Sequence, residues 1–156
     1  MKCYVFRLMK KNVYPNLDMS DFVMLDSFSK TLKHLPVLAT HLDRGKIILQ
    51  LIRSLFSNRY FYYLSKQGKI TTCGQLSTGF CHYYLVNISD VVIGSIWTDP
   101  EHRGEGLASK GMQAAINYMI ANNWSVFYID TQETNNRMLK VIENNGFGQS
   151  IIHFEN

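Results

Sequence analysis

The run Asp99-Pro-Glu-His-Arg-Gly-Glu-Gly-Leu-Ala-Ser-Lys-Gly111 joins two segments of opposite periodicity. Before it, Val91-Val-Ile-Gly-Ser-Ile-Trp-Thr98 reads as a buried strand. After it, apolar residues at helical spacing continue to about Ala121. Pro100 ends the strand by removing a ladder donor. Gly104 and Gly106 let the backbone turn sharply and come close to a ligand. The first N–H groups of the following helix have no internal partner and sit at its positive end. Strand, glycine turn and helix start together make an anion site suited to a diphosphate.

Several ligands use such a turn, and the spacing separates them. A nucleoside-triphosphate loop needs Lys and then Ser or Thr after its last Gly, but Leu107 and Ala108 follow Gly106. A dinucleotide fingerprint needs G-x-G-x-x-G directly after a strand and an acid about 20 residues on. Gly104, Gly106 and Ser109 approach that pattern, and Asp130 ends the next strand. Against it, the third glycine is a serine, and Asp99 to Arg103 intervene between strand and turn. No second half of ordinary length follows.

Arg103-Gly-Glu-Gly106-Leu-Ala108 matches R-x-x-G-x-[GA] after a strand that ends in a D-P turn. This resembles the acyl-CoA diphosphate loop of the GNAT superfamily of N-acetyltransferases. A second stretch is similar to the same family. Asp130-Thr-Gln-Glu-Thr-Asn135 leads from a strand into a helix that Gly146-Phe147 closes, with the family's interval between Asn135 and Gly146. The two matches span roughly residues 90 to 150. The N-terminal half carries no motif and agrees only in its pattern of elements.

The length of 156 residues suits one domain with a proper core, taken as residues 1–156. Hydrophobic residues at 46% and charged residues at 18% exclude a disordered chain. A net charge of +4 suits an anionic ligand such as coenzyme A. The basic residues are scattered rather than striped, which argues against nucleic acid. Cys3, Cys73 and Cys81 form no C-x-x-C pair, so a disulfide framework, a metal site and an oxidising compartment are not expected; the cytoplasm is. Cys81-His82 are adjacent and would point to opposite faces of a strand. No leader pattern is visible, and no apolar run reaches the ~20 residues a membrane span needs.

From the start, residues 3 to 9 read as a strand. A helix follows from Asp18 or Ser20 to about Lys33, with Phe22, Leu25, Ser29 and Leu32 on one stripe. A second helix, from about Asp43 to Ser57, has Ile47, Ile48, Leu51, Ile52, Leu55 and Phe56 as its core face. Strands are expected at 60–65, from Ile70 to about Tyr84, at 91–98, from Trp124 to Asp130 and from Gly148 to Phe154. Helices are expected over about 105–122 and 135–144. The order β-α-α-β-β-β-α-β-α-β gives an α/β chain with a mixed, mostly antiparallel sheet and helices on both faces. This is the GNAT element order, except that such chains commonly end in two strands after the Gly-Phe. Only about nine residues remain here. One strand is then missing or supplied by a neighbour, which leaves a homodimer open.

The resemblance implies acetyl transfer from acetyl-CoA to an amine. The acceptor would be a small molecule, an amino sugar among them, or a protein N-terminus. Transfer would be direct within a ternary complex, with no metal. The backbone of Arg103, Gly104, Glu105, Gly106, Leu107, Ala108 and Ser109 would cradle the diphosphate. Ile96, Trp97 and Thr98 would pair with the pantetheine arm, an N–H of Thr98 or Trp97 polarising the thioester carbonyl. Asn135 would bond the arm, or simply cap its helix. The loop at 34–43 would border the acceptor.

The proton carriers depart from the family. Many members carry Tyr four residues before the Gly-Phe glycine, where this chain has Ile142, and Glu on the strand where it has Val92. The remaining candidates for a base are Asp90, His82, Tyr83 and Tyr84, with His82 closest to neutrality in its ordinary titration. A CoA-binding module without turnover and a dinucleotide-binding oxidoreductase fragment are the alternatives.

Overall fold

The computed structural model describes residues 2–56 and 58–155. The strands are β1 (Lys2–Met9), β2 (Phe22–Leu25), β3 (Arg59–Lys66), β4 (Lys69–Thr78), β5 (Val91–Thr98), β6 (Val126–Gln132) and β7 (Ile152–Glu155). The helices are α1 (Phe28–Lys33), α2 (Leu35–Leu38), α3 (Arg44–Arg53), α4 (Leu107–Ala121) and α5 (Asn136–Asn144). A 3-10 turn spans Pro100–His102. The strands form one sheet in the order β2-β3-β4-β5-β6-β1-β7. Every neighbouring pair is antiparallel except β5 with β6. A dinucleotide fold needs a mostly parallel sheet, so the architecture sets that reading aside.

Strand alternation sorts the core into layers. On one face, Phe6, Tyr62, Ile93, Phe127 and Ile129 meet Met112, Ala115, Ile116 and Met119 of α4 and Ile142 of α5. The small residues of α4 let it lie close on the sheet, as at Gly111, whose missing side chain makes room for Tyr62 and Thr72. On the other face, Leu25, Phe61, Tyr63 and Cys73 are covered by Leu35, Val37 and Leu38 of α2. Further along that face, Val5, Val92 and Tyr128 are covered by Cys81, Tyr84 and Val86 from the segment between β4 and β5.

The sheet's far edge is completed from within the chain. β1 lies between β6 and β7, pairing Val5 with Asp130 on one side and with Ile152 on the other. The strand expected to be missing, or lent by a neighbour, is thus the chain's own first strand. An interior place suits Cys-Tyr-Val-Phe, whose Cys3, Val5 and Phe6 are all buried.

Three expectations change. The helix expected from Asp18 or Ser20 is shortened to α1, which Ser27 caps, and Phe22-Val-Met-Leu25 is instead an edge strand on β3. A short apolar run fits either period, and pairing with β3 satisfies its backbone. The strand expected to reach Tyr84 ends at Thr78, and residues 79–90 are irregular. The apolar stripe expected on α3 is split: Ile47 and Leu51 are half-buried, whereas Ile48, Ile52 and, past the helix end, Leu55 are at least half exposed, and Gln50 is buried. Arg53 of α3 donates to Gln75 Oε1 of β4 at 3.2 Å, so a polar contact seats the helix.

Gly74 of β4 sits over the fully buried Tyr62, and a Cβ there would fall on the Tyr62 hydroxyl. Gly74→Ala should therefore destabilise the fold by ~1–3 kcal/mol or more through overpacking. A urea midpoint unchanged from the parent would contradict this packing.

Candidate functional site

The parallel pairing of β5 with β6 covers three residues: Val91 with Phe127, Val92 with Tyr128, and Ile93 with Ile129. Beyond Ile93 the two strands part. The cause lies on β5's other edge. Its register with β4 shifts between Trp97, opposite Cys73, and Gly94, opposite Gln75. Ser95 and Ile96 thus oppose Gly74 alone, and Ser95 takes a left-handed φ of +52°. Such a bulge bends its strand and increases its twist. Gly94 begins this irregularity, as a glycine inside a strand often does.

The bulge leaves backbone groups facing the gap. Asp99 donates its N–H to Thr71 O at 2.9 Å, which points it towards β4. Alternation then turns Trp97 towards β4 and Thr98 towards the gap. The carbonyl of Thr98 accepts from Arg103 Nε at 3.3 Å. Of the two N–H groups expected to meet a thioester, the open one is that of Thr98. The Thr98 side chain is held by Thr72, whose Oγ1 lies 3.0 Å away.

The loop follows at the wide end of the gap. Asp99 caps the Pro100–His102 turn by accepting from Glu101 N at 3.0 Å. Gly104 and Gly106 have φ of +87° and +75°, and nothing lies within 4 Å of where either would carry a Cβ. Gly106 is the N-cap of α4 and brings no capping side chain. The first N–H groups of α4, from Leu107 to Ser109, therefore meet an open, glycine-lined space. Leu107 itself is buried, and Ser109 Oγ accepts from Asn145 Nδ2 at 2.8 Å, tying this turn to the end of α5. Glu105 stays a carboxylate, held below the usual range by its bonds to Lys66 at 2.9 Å and His102 at 3.0 Å, and the Lys66 charge offsets its own. Arg103, exposed, and Ala108 flank the same space.

Asn135 caps α5, its Oδ1 accepting from Met138 N at 3.2 Å, so its Nδ2 is the group left to offer a ligand. Ile142 is buried in the core. The stretch 34–43, expected as a loop, contains α2, since Pro36 sits in its first turn; after it His41 stacks on Trp97 with ring centroids 3.8 Å apart. Burial and then Lys46 hold its imidazole below its ordinary value, towards the neutral form.

The four proton-carrier candidates part company. Asp90 is buried and closes a turn, its Oδ2 accepting from Asn87 N at 2.9 Å and Nδ2 at 3.2 Å. It precedes Gly94 by four residues, ~13 Å along an extended strand. His82 is exposed beside Tyr83, and Tyr83 stacks on Phe154. Tyr84 alone reaches the gap, donating to Asp130 Oδ1 at 3.1 Å. Burial and the Asp130 charge push its phenol up. Asp130 follows directly on Ile129, the last β6 residue paired with β5. Burial raises its carboxyl above the usual range. The signal in the sequence was an acid closing the apolar strand Val-Phe-Tyr-Ile.

A separate hollow of about 380 Å³, lined by Asp26, Tyr60, Tyr118 and Trp124 among others, lies at the far end of α4 and touches none of these groups. Among the described residues no three His, Cys, Asp or Glu gather as a metal site, and no helix is long and apolar enough to cross a membrane.

The comparisons bear on the family and the fold. The acetyltransferase (GNAT) family model matches residues 38–147. No curated protein sequence matches significantly. Among solved structures, a GNAT-family acetyltransferase from Colwellia psychrerythraea superposes with a TM-score of 0.65 at 15% identity over 97% of this chain and 53% of that one. An aminoglycoside acetyltransferase from an uncultured soil metagenomic sample, in complex with sisomicin, has a TM-score of 0.64 at 11% identity, covering 86% and 93% of the two chains. The aminoglycoside N-acetyltransferase AAC(6')-Iy, bound to a CoA-containing bisubstrate analogue, has a TM-score of 0.64 at 14% identity, covering 88% and 99%. A GNAT-family acetyltransferase from Novosphingobium aromaticivorans matches 98% of this chain at 17% identity and a TM-score of 0.60, and the chain spans 62% of its length. With a matching family model over most of its length and these neighbours in fold, the chain belongs to the GNAT acetyltransferase family.

Proposed function

We propose that the protein transfers an acetyl group from acetyl-CoA to the primary amine of a small molecule. The parting of β5 from β6 beside the open glycine loop carries this reading. A diphosphate on the N–H groups of Gly104 to Ser109 would anchor the donor, with the helix dipole adding to its hold. The arm would run from there into the gap, against the free edge of β5, and Asn135 Nδ2 would bond it. The N–H of Thr98 faces the gap and would stabilise the oxyanion as the amine attacks. Fixing donor and acceptor together supplies much of the rate. An amino sugar is the acceptor class we favour, supported by the aminoglycoside acetyltransferases among the structural neighbours.

Transfer is direct in this reading. Cys73 is buried, and burial pushes its thiol up to about 12, so it is no thiolate nucleophile. We place the protein in a reducing, cytoplasmic setting, in keeping with three scattered cysteines outside any C-x-x-C pair. A CoA-binding module without turnover draws on one observation, the apolar Ile142 where many family members carry a donor.

Gly106→Val tests the donor site. The space it would fill is empty of protein, so the fold should survive with only the strain of a branched residue at positive φ. Acetyl-CoA binding by calorimetry should be lost, and unchanged affinity in the folded variant would contradict the site. In the parent, acetyl-CoA at 100 times its Kd should raise stability by ~2.7 kcal/mol. CoA thiol release against a panel of amines and amino sugars then separates transferase from module: acetyl-CoA binding without release for any acceptor favours the module.

A further inference from the structure

We infer that Asp130 is the general base of the acyl transfer, a role resting on the acetyltransferase reading above. The sheet itself places it. Ile129 is the last residue of β6 to pair with β5, so Asp130 stands where the strands begin to part, beside Gly94. Alternation turns it to the face opposite α4 and α5. Phe127 and Ile129 pack under those helices, whereas Tyr128 belongs to the layer of Val5 and Val92. The α4–α5 face of this region is filled by Ile93, Ile116 and Ile142. The other face, bordered by the 79–90 segment, is where an acceptor can approach a thioester held in the gap. Asp130 stands at the meeting point of that face and the narrow end of the gap.

Its surroundings suit a base. Tyr84 donates to Oδ1 at 3.1 Å and fixes the carboxylate's orientation, leaving Oδ2 for an amine proton. The ionisable groups on this face are Tyr84 and Cys81 of the 79–90 segment, Tyr128 of β6, and Arg7 and Cys3 of β1, with Arg7 placed over the Tyr128 ring. Burial raises the carboxyl and the Tyr84 bond offsets part of that, with no cation among the causes. A carboxylate raised in this way is a better proton acceptor.

The reaction then balances. The amine nitrogen forms its bond to the thioester carbonyl carbon, and the carboxylate takes the nitrogen's proton. The tetrahedral oxyanion collapses, the C–S bond breaks, and its electron pair leaves on sulfur. The Asp130 carboxylic acid returns the proton to that thiolate and is again a carboxylate. Amide and CoA thiol are the products. One group serving both transfers is consistent with an apolar residue at 142.

Asp130→Asn keeps the shape and the acceptor for Tyr84 but removes the base. With an amine found in the thiol-release screen, kcat/KM should fall ~10²–10⁴-fold, the acidic limb of its pH profile should vanish, and acetyl-CoA affinity by calorimetry should stay at the parent value. Two readouts need no turnover. The Asp130 carboxyl, followed by carbon NMR and assigned by its loss in the variant, should titrate above the usual carboxylate range. Folding favours its protonated form, so this contribution to stability is full below the unfolded value and is lost as pH rises through the native one. Asp130→Asn should therefore melt higher than the parent at neutral pH, the gain disappearing under acid conditions. A variant that keeps the parent's rate and acidic limb overturns the assignment, as does a carboxyl that titrates in the ordinary range. A parent that binds acetyl-CoA but releases no thiol to any amine overturns it together with the acetyltransferase reading. That outcome is recognisable, because the carboxyl would still titrate high.

Discussion

The parallel register of β5 and β6 stops after Ile93 and Ile129, and the site depends on that limit. A sheet gains by pairing every strand, and an unpaired edge inside it exposes backbone groups that need partners. Here the bulge at Ser95 prevents further pairing by bending β5 away. The bulge is held in turn by β4. Gly74 lies opposite it and over the buried Tyr62 ring, and Thr72 grips the strand beyond through Trp97 O and Thr98 Oγ1. The open edge is thus a rigid product of core packing rather than a loose end.

Two ends of that gap have different chemistry. The wide end meets the glycine turn and the start of α4, where N–H groups and a helix dipole favour a negative charge. The narrow end meets Asp130 and Tyr84, a half-buried carboxylate and a phenol. In the proposed reaction, placing the glycine turn and a negative side chain at opposite ends of one slot would separate diphosphate binding from proton transfer. Glu105, the acid nearest the turn, is answered by the Lys66 charge, which keeps the wide end from repelling a diphosphate.

Much of this was legible in the residues. The turn from Thr98 to Leu107 and the Asn135–Gly146 interval identify the fold family because each glycine or cap does a local backbone job that few residues can do. Gly106 at positive φ and Asn135 as a cap are examples. What long-range pairing decides was not legible. Phe22–Leu25 has an apolar pattern that a helix could use, and only its match with Phe61 to Leu64 makes it a strand. β1 reads as a strand from its residues, but its place between β6 and β7 depends on partners more than a hundred positions away. The split stripe of α3 escaped for the same reason: periodicity reports a face, not what covers it. Asp130 was visible only as an acid at a strand's end, since its distance from Gly94 in sequence hides that they flank one opening.

The central claim is that the unpaired edge of β5 receives an acyl-CoA arm. Hydrogen exchange read amide by amide, with and without acetyl-CoA, tests it most directly. The account predicts new protection at the Thr98 amide and at the amides from Gly104 to Ser109, with β1 and β7 unchanged. Protection confined to other segments, or an unaltered Thr98 amide in a saturated complex, would contradict it.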